Sequence, residues 1–331
     1  MKNASPLLSI CIPTYNRASY LEATLESLTN QAVFQNTRDV EIVISDNFST
    51  DETPSVISAF QKKYPDKISA RRQASLIEPS SNFAEVLEAG RGLLRKLHND
   101  TLRVHNGFLE ECLNLIREYQ STKPLIFFIN GRHFQRNPGR LTPCRDLDAF
   151  LGRVSFYSGW IGGFSLWDED VSAYAPVFRA AAHHFAQTEI LFRAISDGRE
   201  ALVYNPEFAQ VGYDAPKGSP EGVHKPHSTK EALRTVFFGE YTPLFRGAAA
   251  RGQISAKVER REMLRFCLVH YVPTYHRLSG KKFSRDFYCD FQFLKSYLPA
   301  LYYHFTRGYY LLFCLFYKIL IPHKKIIKQF F

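Results

Sequence analysis

No two of the six cysteines stand in CxxC spacing; they fall singly at Cys11, Cys112, Cys144, Cys267, Cys289 and Cys314. That argues against zinc and reads as reduced, mostly buried thiols of a cytosolic chain. An uninterrupted apolar run of about 18 residues is also missing, so no transmembrane span is expected. Strand-like sequence begins near residue 7, and no secretory leader is expected ahead of it. There is no internal repeat and no low-complexity tract. Acidic residues are in deficit: 32 Asp and Glu face 42 Lys and Arg, for a formal net charge of +10. A basic excess suits an anionic partner, whether a nucleoside diphosphate, a nucleic acid or an acidic membrane surface. No nucleic-acid-binding module accompanies it, and a nucleic-acid partner is not expected.

What is present is length and aromatic content. The 331 residues allow one large domain, or a domain with an appendage, and include 28 Phe and 18 Tyr. From residue 7 to about 130, strand-like runs (7–12, 40–45, 68–72, 125–129) alternate with helix-like periodicity (18–30, 52–63, 82–90, 107–119). Such alternation predicts a parallel α/β sheet. Ser49-Thr50-Asp51 can cap the second helix, with Glu52 in its first turn. Residues 93–97 read as a strand or as a helix tail. Strand is favoured, although Arg95 and Lys96 are awkward for a central one. Between Ser158 and Trp167, glycines mix with aromatics: a backbone open to close approach by a ligand, or a glycine-kinked core strand. A helix over 185–196 and a short strand over 201–204 complete an α/β domain of residues 1–212. Pro216, Gly218, Pro220, Gly222 and Pro226 mark a linker over 213–228. Residues 229–331 read as a helical region, with helices near 229–250, 256–270 and 285–305.

The most telling segments are two strand ends. Leu8–Ile12 breaks into Pro13-Thr14-Tyr15-Asn16-Arg17, and Glu41–Ile44 into Ser45-Asp46-Asn47-Phe48-Ser49-Thr50-Asp51. In an open parallel sheet, ligands bind outside the carboxyl ends of the strands. Pro13-Thr14-Tyr15 sets an aromatic ring and a hydroxyl beside that crevice. Asp46 can accept a hydrogen bond from a nucleobase N–H; as a turn or cap residue it would serve the backbone instead.

These two segments, with Leu21, Leu25, Ser27, Leu28 and Gln31 between them, resemble the family-2 glycosyltransferases of the GT-A fold. The resemblance is specific over about the first 55 residues and looser to about residue 210. It implies a Rossmann-like, mostly parallel sheet flanked by helices, here with a C-terminal helical extension. It also implies transfer of a sugar from a nucleoside diphosphate with inversion at the anomeric carbon. Family roles carry onto Pro13, Thr14, Tyr15 and Asp46 as contacts to the donor's base and ribose, and Arg17 is counted among the nucleotide-sugar-binding residues. The family's acidic metal motif falls on His98-Asn99-Asp100-Thr101, where Asp100 is the one acid. Asn99 and Asp100 are thus expected at the diphosphate, with Asp100 as ligand to Mg2+ or Mn2+. A single carboxylate holds such an ion weakly unless phosphates supply most ligands, so strict metal dependence does not follow. Arg95, Lys96, Arg103 and His105 could share the neutralising charge.

The family's catalytic carboxylate position, counted back from Arg193, holds Gln187, which cannot act as a base. Glu189 lies two residues on, about 200° around a regular helix. The candidates in order are Glu189, His184 and Asp168. Trp160 and Gly163 are expected to line the sugar pocket. The resemblance implies a UDP- or dTDP-sugar donor and a glycan or lipid-linked acceptor, as in O-antigen or capsule assembly. A non-catalytic relative that only binds nucleotide sugar or glycan is the alternative. The segment 309–321 carries aromatics nearly all round and precedes His323-Lys324-Lys325. It reads as a helix lying on the inner face of the cytoplasmic membrane, or as one packed on the core.

Overall fold

The computed structural model describes residues 5–130, 141–181, 183–210, 230, 233–280, 284, 287, 292, 295 and 300–315. The described strands are β1 (Leu8–Thr14), β2 (Val40–Asp46), β3 (Ile68–Arg72), β4 (Leu94–Leu97), β5 (Arg103–Val104), β6 (Leu125–Phe128), β7 (Leu141–Cys144), β8 (Ser165–Trp167), β9 (Ala201–Tyr204) and β10 (Ala209–Gln210). Helices α1 (Ala18–Thr29), α2 (Ala32–Asn36), α3 (Thr53–Lys63), α4 (Pro79–Ala89), α5 (Phe108–Tyr119), α6 (Leu147–Val154), α7 (Asp168–Ala180) and α8 (Ala186–Ser196) pack around them. The fold expected from the sequence, a mostly parallel sheet between helices, is what the chain forms.

The main sheet has the order β3-β2-β1-β4-β8, parallel except for β8. Its interior strands are apolar on one face and small or polar on the other, as period-2 side chains require. Leu8, Ile10 and Ile12 of β1, with Val40, Ile42 and Ile44 of β2, join one buried cluster with α1 and α5. Cys11 and Val43 face the other cluster, with α4, α7 and α8. On this face Ser45 exchanges hydrogen bonds with Asn82 of α4, Oγ to Oδ1 at 2.6 Å and Nδ2 to the Ser45 carbonyl at 3.1 Å. Buried Glu41 is answered by Ser9 Oγ (2.6 Å) and by the Arg91 side chain, whose Nη2 lies 2.7 Å from Oε2. A Cβ on Gly92 would come within 2.4 Å of the Ser9 backbone nitrogen, so only glycine fits this close approach.

Lys96 stands in a central strand after all, and it is fully buried. Its Nζ donates to the carbonyls of Gly162 (2.6 Å) and Leu97 (3.1 Å). The rings of Phe128, Phe108 and Phe208 surround it at 4.8, 5.7 and 6.0 Å. Cation–π contact and two carbonyls thus stand in for a carboxylate partner.

A second sheet, β6-β9-β7, continues beyond β8: Ser165 Oγ reaches the Ile126 carbonyl at 2.6 Å, and Trp167 Nε1 that of Pro124 at 2.7 Å. The proposed linker at 213–228 lies outside the described residues. Beyond it come a π-helix, Leu233–Tyr241, then helices Thr242–Ala250, Ala256–Phe266, Val272–Leu278 and Ala300–Leu315. Buried Tyr303, Tyr310 and Phe313 anchor the last helix, with Tyr310 stacked on Phe287 at 3.6 Å. Phe305, Leu311 and Leu312 are exposed on it. Among the described residues no helix is long and apolar enough to cross a membrane. Cys11, Cys112, Cys144 and Cys267 are buried thiols, Cys314 is half-buried, and Cys289 lies outside the described residues.

Candidate active site

The order β3-β2-β1-β4 makes β1 the point where successive crossovers reverse direction. A crevice opens there between the carboxyl ends of β1 and β4. Thr14 ends β1 and Asp100 follows β4. They meet across the crevice, Thr14 Oγ1 donating to Asp100 Oδ2 at 2.9 Å. Thr24 Oγ1 of α1 fixes the same loop through the Asp100 carbonyl at 2.9 Å. Burial raises the Asp100 pKa to about 6, opposed by the positive charge of Arg17 and the Thr14 hydrogen bond.

The loops after β1 and β2 are laced together by side chains. Asn16 N–H donates to Ser49 Oγ (2.8 Å), and Thr50 N–H to Asn16 Oδ1 (2.7 Å). Arg17 N–H donates to Thr53 Oγ1 (3.0 Å), and Ala18 N–H to Asp51 Oδ2 (3.2 Å). Asp51 also takes the Thr53 N–H at 3.0 Å, so it serves both loops from one residue before the helix; the N-cap itself is Glu52, without a side-chain cap bond, rather than in the first turn as expected. Asn16 has φ 50°, a left-handed value that Asn tolerates. Pro13 and Tyr15 are half-buried at the rim of this double loop.

Asp46 is buried and accepts the Ser49 N–H at 3.0 Å through Oδ1. Its Oδ2 makes no hydrogen bond and lies 3.8 Å from Arg72 Nε. One carboxylate oxygen therefore serves the turn, and the other is left to a ligand or to Arg72. Phe48 is a residue the sequence reading passed over. It is 40% exposed, holds φ 64°, and lies 5.5 Å from the Arg72 guanidinium. A large aromatic in the left-handed region is strained, and such strain gathers at ligand sites. Its signal in the sequence was an apolar ring set among Asn and Ser, where a turn calls for small residues.

The diphosphate candidates divide. His98 is buried, with Nε2 at 2.9 Å from the Leu102 carbonyl. Burial and the charge of Lys96 push its pKa down to about 3, so it stays neutral. Asn99 Oδ1 is buried without a hydrogen bond against Gly162, where a Cβ would come within 2.4 Å of it. Arg95 is drawn away to the Leu87 carbonyl (2.9 Å), and Lys96 to Gly162. Neither faces the crevice, which removes both from the shared charge; Arg17 is the cation felt by Asp100. Among the described residues no three His, Cys, Asp or Glu side chains gather as a metal group. Asp100 fits a hard divalent ion as one ligand, and only where phosphate oxygens complete the shell.

Trp160 joins two short 3-10 turns, Ser155–Gly159 and Ile161–Gly163. Its ring stacks near Phe208 at 6.3 Å and beside Gly162, close to Asn99. Gly163 turns inward: its missing Cβ is answered by the Phe128 carbonyl at 2.5 Å and the Phe127 ring at 2.6 Å. It is a packing glycine that abuts no open space. Asp168 lies far from the crevice, because β8 runs antiparallel to β4 and ends beside Leu94, at the strand's start. There it begins α7, and its Oδ1 lies 3.3 Å from Lys123 Nζ. Gln187 is buried and donates to the Gly159 carbonyl at 2.8 Å. Glu189 is exposed and meets His183 Nε2 at 3.1 Å. His184 is exposed and meets Glu240 Oε2 at 2.8 Å.

Residues 9–164 match the family described as Glycosyl transferase family 2. Abequosyltransferase RfbV of Salmonella typhimurium is 43% identical over 86 residues, covering 26% of this chain and 25% of that protein. A GalNAc(5)-diNAcBac-PP-undecaprenol beta-1,3-glucosyltransferase of Campylobacter jejuni is 42% identical over 57 residues, covering 17% of each. The chain thus spans a quarter or less of these two relatives. Among solved structures, residues 1–349 of S. aureus TarS with UDP-GlcNAc share the fold. That match has a TM-score of 0.54 at 12% identity, covering 91% of this chain and 87% of that one.

Proposed function

Because residues 9–164 belong to glycosyl transferase family 2, we propose that this chain moves a sugar from a nucleoside-diphosphate donor to a glycan acceptor, with inversion, in surface polysaccharide assembly. The observation that carries this is the Thr14–Asp100 hydrogen bond across the switch point of the sheet. It sets a buried carboxyl where a donor's diphosphate would lie, next to a double loop with a ligand-ready oxygen on Asp46. In this reading Pro13, Tyr15, Phe48 and Asp46 receive the nucleoside, and Thr14, Arg17 and Asp100 face the diphosphate. Mg2+ or Mn2+ held by Asp100 would offset charge on the departing diphosphate. Trp160 offers its ring to the sugar or acceptor. His184 takes the acceptor's proton, since Gln187 is structural and Glu189 is already engaged by His183.

A UDP- or dTDP-sugar is the donor we favour; the TarS structure of similar fold carries UDP-GlcNAc. A lipid-linked acceptor is favoured because the Campylobacter relative is named for one. Attachment to the inner membrane surface would use the exposed Phe305, Leu311 and Leu312 of the last described helix, together with the net charge of +10. The test is calorimetric titration of the full chain with UDP, dTDP and GDP, repeated on Asp46→Asn, followed by nucleotide release from matching sugar nucleotides. Binding of UDP or dTDP that is lost in the variant supports the cradle; binding unaffected by it refutes the assignment. The buried Gln187 at the expected base position favours one second reading, a binding protein without turnover. Tight nucleotide binding with no nucleotide release under any acceptor would establish that reading instead.

A further inference from the structure

The turn that leads into α8 and the first turn of that helix hold three side chains able to take a proton, His183, His184 and Glu189, and two are spoken for. His183 Nδ1 accepts the Phe185 N–H at 3.1 Å, so its Nε2 carries the proton that Glu189 receives at 3.1 Å. Neither ring nitrogen of His183 is left, and Glu189 is its acceptor. His184 is built differently. Its backbone N–H and its Nδ1 both meet one oxygen, Glu240 Oε2, each at 2.8 Å. An ionised carboxylate only accepts, so Nδ1 is the protonated nitrogen and Nε2 keeps its lone pair. The side chain is half exposed, at 50%.

Glu240 comes from the π-helix Leu233–Tyr241, well beyond the residues matched to the family. π-turns are rare and concentrate at functional sites. The next residue, Tyr241, ties the same segment to the crevice. Its hydroxyl lies 2.8 Å from Ser158 Oγ, and its ring packs on Phe185 at 4.8 Å. Phe185 in turn presses on Gly159, where a Cβ would meet its ring at 3.0 Å. Gly159 leads directly into Trp160, whose ring, like Asn99 Oδ1, lies against Gly162. The segment therefore grips both His184 and the backbone that carries Trp160.

We propose that Glu240 is a positioning residue that holds His184 in its Nδ1–H form, with Nε2 presented to the acceptor hydroxyl. The inference rests on the transferase reading above. In the step, the acceptor oxygen bonds to the anomeric carbon while the carbon–oxygen bond to the diphosphate breaks. The electron pair of that bond leaves with the diphosphate, and the hydroxyl proton passes to His184 Nε2. Glu240 then faces an imidazolium whose charge it balances. Among the described residues, the charged and titratable groups that contact this turn include Glu240 and Tyr241 from the π-helix, His183 from the turn itself and Glu189 from the first turn of α8.

Two measurements on the full chain test it. Long-range 1H–15N spectra give the histidine tautomers, with the His184 signal assigned by its loss in His184→Gln. The expected result is an Nδ1–H tautomer in the wild type, with that preference weakened in Glu240→Gln, whose neutral amide is the poorer acceptor. An Nε2–H tautomer, or a tautomer balance unmoved by Glu240→Gln, overturns the proposal whether or not a substrate is known. Kinetics use nucleotide release from whichever of UDP-glucose, UDP-GlcNAc and dTDP-rhamnose the wild type turns over. There His184→Ala loses roughly 100-fold or more in kcat. Glu240→Gln loses roughly 10-fold in kcat with KM within about twofold, and is largely rescued by Glu240→Asp. Near-normal kcat in either variant overturns the proposal. Failure of the wild type to turn over any sugar nucleotide refutes the transferase reading, while the spectra still decide the dyad.

Discussion

Among the described residues no carboxylate pairs with Lys96; it holds two backbone carbonyls inside a cage of three phenylalanines. Burial lowers its pKa from 10.5 to about 8. Unfolding returns the ammonium to water and the pKa to its ordinary value. Between about pH 8 and 10.5, the unfolded chain therefore binds the extra proton, and stability rises with pH through that window. Below pH 8 the whole cost of the buried charge is present. The gap of about 2.5 pH units, at 1.36 kcal/mol each, amounts to about 3 kcal/mol. Lys96→Met removes that cost but strands the Gly162 carbonyl, which costs about 1–3 kcal/mol in return. At pH 7 the variant should thus be close to wild type in stability. The discriminating quantity is the slope. Urea unfolding of both proteins from pH 7 to 10 should show wild type gaining on Lys96→Met by about 2–3 kcal/mol. Other groups titrate in both proteins and cancel in the difference. Parallel profiles would refute the buried, ionising lysine.

Two further outcomes follow from the site. Gly163→Ala drives a methyl into the Phe128 carbonyl and should lower stability by about 1–3 kcal/mol, read as a fall in Tm; an unchanged Tm would mean the turn is not packed as described. Phe48→Gly relieves a left-handed phenylalanine and should raise stability by about 1 kcal/mol while weakening UDP binding by calorimetry. If stability and affinity moved in the same direction, the strain would have no tie to the ligand.

The first two strands were legible because their apolar runs end in short polar turns, a pattern that specifies both a buried parallel strand and its exposed end. Asp46 and Thr14 could be named on that basis, whereas Asp100 came only from the family resemblance. Other features left no local trace. The cage around Lys96 draws on Phe108, Phe128 and Phe208, so the favoured strand at 93–97 looked poor until its partners were in place. Asp168 was misplaced because nothing in Ser165–Trp167 announces that β8 runs against β4. The glycines at 162 and 163 read either as room for a ligand or as a kinked core segment, and Asn99, Trp160 and Phe127 fill that room. Glu240 stands 56 residues from His184, a separation at which sequence pattern carries no contact.

The reciprocal bonds between Asn16, Ser49 and Thr50, and between Asp51 and Ala18, hold the double loop without help from any guest. On the proposed reading, a nucleoside arriving there finds these two loops already set. Capture should then follow a single exponential at every concentration, its speed set by diffusion and by attraction to the positive chain, with dissociation alone deciding how long the visitor stays.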